Sequence, residues 1–397
     1  LLIGVARLGG RAAGRPAGLI AALFLAACPV FISGTLEAKP HVPSACLLVW
    51  ATHSALDYYA RGQWRDARRL GWQVGGASAL VLTGWAGLLI LPALYWATRR
   101  RHTGAGWHIL SSAGLAIGIY AVTNPYPIFN ALVQRDALAS NIANSTAMYR
   151  IENFPAGAWR VGSLLVEGAG GGVVAAGLAA LPALIIRQRA AAVVAAVPGV
   201  ALLVLCAAIG AGKPAEFARF LVLPAALLCV AGAAAVGALL ARQKLLGATA
   251  AGLVLLLTPT PAYVRSFAVD AWSREESRWA AGRYLRDHVP LHEPLGVVQE
   301  PAPYAVPPLD WTRRDVLLLP PTRPPRPECR KLPTWVVLTA DDETSHCGAW
   351  WRSDYELAAR FPAAGQRLSP IAWANKPVFV YRRSPGADRA AVDPGEQ

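Results

Sequence analysis

Apolar runs close to twenty residues long recur through the first two thirds of this chain, separated by short arginine-rich segments. A helix needs about 20 apolar residues to cross the ~30 Å hydrocarbon layer of a bilayer. A single helix also satisfies its own backbone hydrogen bonds there, which an open strand does not. The pattern predicts a polytopic α-helical membrane protein. Composition agrees, with 54% of the 397 residues hydrophobic, 16% charged and a mean hydropathy of +0.35. A soluble domain carries about 25% charged residues. The formal net charge of +14 does not point to nucleic acid. The arginines sit in short loops between apolar runs, as in the cytoplasmic loops of membrane proteins, and not in a continuous basic stripe.

The same arginines thread the chain. Arg7, Arg11 and Arg15 precede an apolar run at 17–34, which leads outward to "GTLEAKPHV", and the run at 42–59 returns to "RGQWRDARR" at 61–69. Residues 70–98 have basic residues on both flanks, so an even number of crossings is required. A tight hairpin of two short helices turning near Gly84 is expected, with a single tilted span as the alternative. The run at 107–122 leads out to "TNPYP", whose Asn-Pro and Tyr-Pro steps end a helix. A polar external loop with an amphipathic segment fills 128–160. Further runs at 161–186, 190–210, 220–241 and 246–265 alternate across the bilayer, with "RQR" and "ARQK" on the inner side. Met148 is the only methionine and "LLIGVARL" opens in mid-pattern, so a preceding N-terminal part is expected.

Three segments follow from this threading. Residues 1–266 form the membrane region, 267–384 a small extracytoplasmic α/β domain, and 385–397 a disordered tail. In the second segment, "SREE" (273–276) reads as a capping box opening a helix to about His288. Strand-like runs follow at 295–299, 315–320, 334–339 and 377–383, with a Pro-rich loop at 320–327 and helical spacing in "SDYELAARF" at 353–361. Cys28, Cys46, Cys206 and Cys229 lie in apolar runs and read as small buried hydrophobes. Cys329 and Cys347 are placed to pair as a disulfide if their domain is extracytoplasmic. The cysteines have no CxxC spacing and no paired histidine, so no metal site is expected.

Ionisable groups at membrane level or on short external loops are functional candidates, because leaving them unpaired costs several kcal/mol. Three groups stand out. Glu37, Lys39 and His41 fall within "SGTLEAKPHVPS", where snorkelling to headgroups competes with a site role. Lys213, Glu216 and Arg219 fall within "GKPAEFARFLVLP", where a local Glu216–Arg219 pair at a helix start competes with ligand binding. Glu167, in "LLVEGAGGG", either packs against a close helix neighbour or lines a cavity. External cations beside carboxylates suit a phosphate-bearing lipid whose headgroup reacts at the outer surface. A carboxylate there would deprotonate an acceptor hydroxyl. His53 and Asp57 share a helix face but lack a third ligand, and read as a helix-end polar pair. "NST" at 144–146 is a glycosylation sequon, a tripeptide common by chance.

The order of features resembles the GT-C-fold glycosyltransferases of the protein O-mannosyltransferase and aminoarabinose-transferase superfamily. "RLGGRAAGRPAGLIAALFLAACPVFISGTLEAKPHV" is similar to their basic turn, proline-containing span end and polar external motif. "TNPYPIFN" looks like the opening of their large external loop, and "EFARFLVLPAALL" is similar to their late Arg-containing span. "SPIAWANKPVFVYRR" resembles the closing strand of the soluble tails in bacterial members. The resemblance implies a GT-C-like helix bundle in the plasma (inner) membrane, multi-pass, with its C-terminal domain outside. It also implies a polyprenyl-phosphate sugar donor, an acceptor that is protein, lipid or glycan, and no nucleic acid partner. No cofactor is expected. The resemblance implies a catalytic acid in a first external loop that precedes this chain's residues, with Glu37 as the candidate within the chain itself. Lys39 and Arg219 match positions that hold a lipid phosphate, while His41 stands where the family often has Asp. Two other classes remain open. One is a transporter or flippase, which predicts paired broken helices near the midplane. The other is a scaffold whose external domain binds a partner through the Trp-rich surface at 350–351, where membrane anchoring competes.

Overall fold

A computed structural model describes residues 1–36, 39–148, 151, 153–211, 213, 215–272, 276–297, 307–319, 332–339, 350–362 and 377–384. The chain forms two compact units, Leu1–Thr260 and Pro261–Gln397.

The first unit is helical. Its elements are α1 (Leu2–Ala13), α2 (Arg15–Ala26), α3 (Pro29–Leu36), α4 (His41–Arg61), α5 (Trp64–Leu80), a 3-10 helix (Leu82–Leu89), α6 (Ile90–Thr98) and α7 (Ala105–Thr123). After α8 (Tyr126–Val133) and α9 (Arg135–Met148) come α10 (Phe154–Ala169), α11 (Gly171–Ile209), a second 3-10 helix (Ala215–Leu221), α12 (Val222–Arg242) and α13 (Lys244–Leu256). Among the described residues four helices are long and apolar enough to cross a membrane: Ala105–Thr123, Arg189–Ile209, Phe217–Arg242 and Lys244–Arg265. Two bent helix pairs raise the number to six if each is one span. These are the helices of a membrane protein.

Both bent pairs correct an expected straight span. The run at 17–34 bends by 64° between α2 and α3, where Pro29 lacks an N–H and restricts the residue before it. The run at 161–186 bends by 112° at Gly170, whose φ of 91° is open to glycine and strained for other residues. A Cβ there would also lie 2.9 Å from the Thr258 Cα. The two breaks touch. The Cys28 thiol lies 3.6 Å from the Ala169 carbonyl, and the Thr260 hydroxyl donates to the Ala27 carbonyl.

Gly177 packs on Leu228 and Gly199 on Leu227, though a straight helix at 1.5 Å per residue would hold the two glycines roughly 33 Å apart. α11 therefore doubles back between its halves, Gly171–Arg187 and Arg189–Ile209. The reversal falls at the expected "RQR" turn. Residues 70–98 also fold back. α5 stops at Leu80, Val81 is extended (φ −159°, ψ 142°), and the 3-10 helix returns against α5. The turn is thus at Val81, just before Gly84. The arginine-rich turns gather at one end of the bundle: Arg11 pairs with Asp57, His102 Nε2 donates to the Tyr59 carbonyl at 3.0 Å, and Gly237 lies against Ala17.

Small residues let the helices approach. A Cβ on Gly71 would lie 2.6 Å from the Ser112 carbonyl oxygen, and one on Gly75 2.8 Å from that of Ala116. This four-residue glycine spacing joins α5 to α7 where lipid supplies no hydrophobic drive. The Ser112 hydroxyl reaches the Ala67 carbonyl at 2.7 Å across the same interface. Cys28, Cys206 and Cys229 are buried free thiols, and Cys46 is half-buried.

The second unit opens within α14 (Thr260–Trp272). It continues through α15 (Ser277–His288), β1 (Leu295–Val297), β2 (Val316–Leu318), β3 (Trp335–Thr339), β4 (Tyr355–Phe361) and β5 (Val378–Arg383). The sheet order is β2-β1-β3-β5-β4, parallel from β2 to β3 and antiparallel from β3 to β4. α15, with the Val289 that follows it, lays Ala281, Leu285 and Val289 over Leu295, Val337 and Val380. It starts at Ser277 with Glu276 as its N-cap, so Glu276 is not the third residue of a box; Ser273 lies outside the described residues. The helix expected at 353–361 is strand β4. Tyr355, Leu357, Ala359 and Phe361 alternate at the period of a strand, and pairing with β5 selects that reading, with a bulge between Leu357 and Ala359. The 320–327 loop, Cys329, Cys347, the 385–397 tail and the side chains of Trp350 and Trp351 fall outside the described residues.

Candidate functional site

At the end of the bundle away from the arginine-rich turns, the α3–α4 link meets the 3-10 helix Ala215–Leu221. Pro40 and Pro43 suit the first turn of α4, where a backbone N–H has no helical partner to lose. They place His41 as the first residue of α4, ahead of the apolar run at 42–59. The His41 ring meets the Phe220 ring edge-on, with centroids 4.9 Å apart. The Arg219 guanidinium lies 5.2 Å from the same ring's centroid. Lys39, half-buried, stands two residues before His41.

Both His41 ring nitrogens and the Arg219 Nε are buried without a hydrogen-bond partner among the described residues. A buried polar atom left unpaired costs about 1–3 kcal/mol. Burial first, then the positive charges of Arg219 and Lys39, push the His41 imidazole down from 6.5 to about 4. At neutral pH it is an uncharged ring with one donor and one acceptor. The cluster therefore offers a guanidinium, an ammonium and a neutral imidazole in surroundings where charge is weakly screened. Such a set has the chemistry to receive an anion.

α10 adds a cation that the sequence reading passed over. Arg160 Nε donates to the Lys213 carbonyl at 2.8 Å and ties α10 to the segment leading into the 3-10 helix. Arg160, Ser163 and Glu167 share one face of α10, and the Ser163 hydroxyl donates to Glu167 Oε1 at 3.0 Å. Arg160 stands near the start of a span away from the arginine-rich turns, the same signal that singled out Arg219. Of the candidates, His41 and Arg219 come together on Phe220, Lys39 stands two residues before His41, and the Lys213 carbonyl is held by Arg160. Glu167 instead pairs along its own helix, one turn before the Gly170 break. Glu37 and the Glu216 side chain lie outside the described residues.

The opposite end carries a ladder, Arg11–Asp57–Arg61–Asp66–Arg69. His53 Nε2 donates to the Gly4 carbonyl at 2.9 Å, so His53 and Asp57 turn to different partners. Among the described residues no three His, Cys, Asp or Glu side chains gather as a metal site. Comparison with protein-family models, with curated proteins and with solved structures finds no match for this chain.

Proposed function

We propose that this chain belongs to a membrane glycosyltransferase that moves a sugar from a polyprenyl-phosphate donor to an acceptor on the extracytoplasmic side. The observation that carries the reading is the meeting of His41 and Arg219 on Phe220, with partnerless buried nitrogens on both among the described residues and Lys39 two residues before His41. Arg219 and Lys39 hold the lipid phosphate and stabilise it as a leaving group. Neutral His41 donates one N–H to a phosphate oxygen. The acceptor hydroxyl loses its proton to a carboxylate, for which Glu37 is the candidate within this chain. An apolar groove of about 350 Å3 between Leu89 and the second half of α11, at Val193, Val197 and Val200, suits the isoprenoid tail. The test is transfer of labelled sugar by the intact protein in vesicles. Arg219→Ala and Lys39→Ala should each abolish transfer at normal expression. Unchanged transfer in both would remove the phosphate-site assignment.

A transporter or flippase is the second reading, favoured by the two bent helix pairs whose breaks touch at Cys28 and Ala169. Broken helices that meet are where such proteins bind substrate. Translocation of a labelled lipid by vesicles without any sugar transfer would favour it over the enzyme.

A further inference from the structure

We infer that the arginine-rich end of the bundle is a binding face for anionic phospholipid headgroups. This rests on the membrane reading alone and not on sugar transfer. The turns α1–α2, α4–α5, α6–α7 and α12–α13 and the α11 reversal bring their basic residues to one end. Only two carboxylates stand among them, Asp57 and Asp66, and both are consumed by the ladder to Arg11, Arg61 and Arg69. Arg65, Arg68, Arg99 and Arg100 are exposed and make no ion pair among the described residues.

Orientation in the bilayer needs only a bias of basic residues between loops. Here the excess is concentrated, and the ladder holds part of it rigid. Exposed tryptophans sit within a turn or two of these arginines: Trp64 (39%), Trp96 (52%) and Trp107 (70%). Tryptophan settles at headgroup level, so the ring of indoles sets the depth at which the guanidiniums meet phosphates. Planar guanidinium groups fit phosphate oxygens two at a time. A cluster of basic side chains next to apolar helices is the arrangement that selects anionic over zwitterionic lipid. A soluble acidic partner would match the charge but would have no use for the indoles.

The experiment measures lipid retained by the purified intact protein, by native mass spectrometry, from equal mixtures of phosphatidylglycerol and phosphatidylcholine. Phosphatidylglycerol should be enriched several-fold, and the enrichment should collapse near 0.5 M salt, where screening is short-ranged (about 4 Å). The variant Arg65→Gln/Arg68→Gln/Arg99→Gln/Arg100→Gln should bring the preference down to near parity, since surface basic residues carry the attraction to anionic headgroups. The matching four-lysine variant should keep most of it. Equal retention of the two lipids by the unmodified protein overturns the inference, as does a preference indifferent to salt. Displacement of the bound lipid by polyglutamate at low salt, with no enrichment in bilayers, would point to an acidic protein partner and also overturn it. Sugar transfer is not part of the readout, so failure of the enzymatic reading leaves these outcomes unchanged.

Discussion

His41 and Arg219, far apart in the chain, meet on one phenyl ring, that of Phe220, His41 edge-on at 4.9 Å and Arg219 at 5.2 Å. The ring keeps two basic groups close without a hydrogen bond between them, and leaves their nitrogens available to a third party. Because burial and the neighbouring cations lower His41 to about 4, the folded protein resists protonation that the unfolded chain accepts near 6.5. Stability is therefore full above about pH 6.5 and declines as the pH falls toward 4. Thermal unfolding in detergent should show that decline in the parent protein and a shallower one in His41→Gln. Equal slopes would mean that the ring is accessible to protons in the folded state.

Asp66 is wholly buried and holds Arg61 at 3.1 Å, with Arg69 at 3.9 Å. Asp66→Asn removes the charge that two guanidiniums share, but Arg61 is 41% exposed and keeps Asp57 at 2.9 Å. The expected loss is about 1–2 kcal/mol, short of the full cost of stranding a buried charge. Urea or thermal unfolding of the purified protein reads it directly. Asp66→Asn combined with Arg61→Gln should lose less than the two single changes together.

Much of this architecture is written in the order of apolar runs and arginines. The gathering of the basic turns, the fold-back before Ile90 and the reversal at 187–189 all follow from parity. What parity does not carry is where a helix bends. Cys28-Pro29 and Gly170 each break a run whose hydropathy is continuous, and the Gly170 break packs so close to Thr258 that a Cβ would not fit, a contact absent from any local window. The strand at 355–361 was hidden for a related reason. Its pattern fits both periods, and the deciding partner, β5, is remote in sequence. In the site, the sequence singled out Lys39, His41 and Arg219 by charge, while Phe220, which joins two of them, looked like one more apolar residue.

Two glycines on neighbouring helices separate packing from propensity. Gly75 of α5 faces the Ala116 backbone with room for no Cβ, whereas a Cβ on Gly114 of α7 would meet nothing within 4 Å. Gly75→Ala should destabilise by about 1–3 kcal/mol, because backbone is pushed and not a flexible side chain. Gly114→Ala should be neutral or stabilise by up to about 1 kcal/mol through helix propensity. Opposite signs in one unfolding assay would establish the α5–α7 contact.

The common location of the basic turns gives a labelling pattern. With the native cysteines replaced, single cysteines at Arg15, Arg100 and Arg187 should react with an impermeant maleimide from one face of sealed vesicles, and one at Lys213 from the other. Arg15, Arg100 and Lys213 lie outside the helices or at a helix end, and Arg187 is exposed, so each tolerates the change without repacking. The Arg187 result is the sharpest, because the secondary structure runs unbroken through it from Gly171 to Ile209. A straight α11 would be roughly 58 Å long, nearly twice the ~30 Å hydrocarbon thickness, and would carry Arg187 into the bilayer where the reagent does not reach. Labelling of Arg187→Cys from the same face as Arg15→Cys requires the reversal that Gly177 and Gly199 record in their shared contact with Leu227 and Leu228.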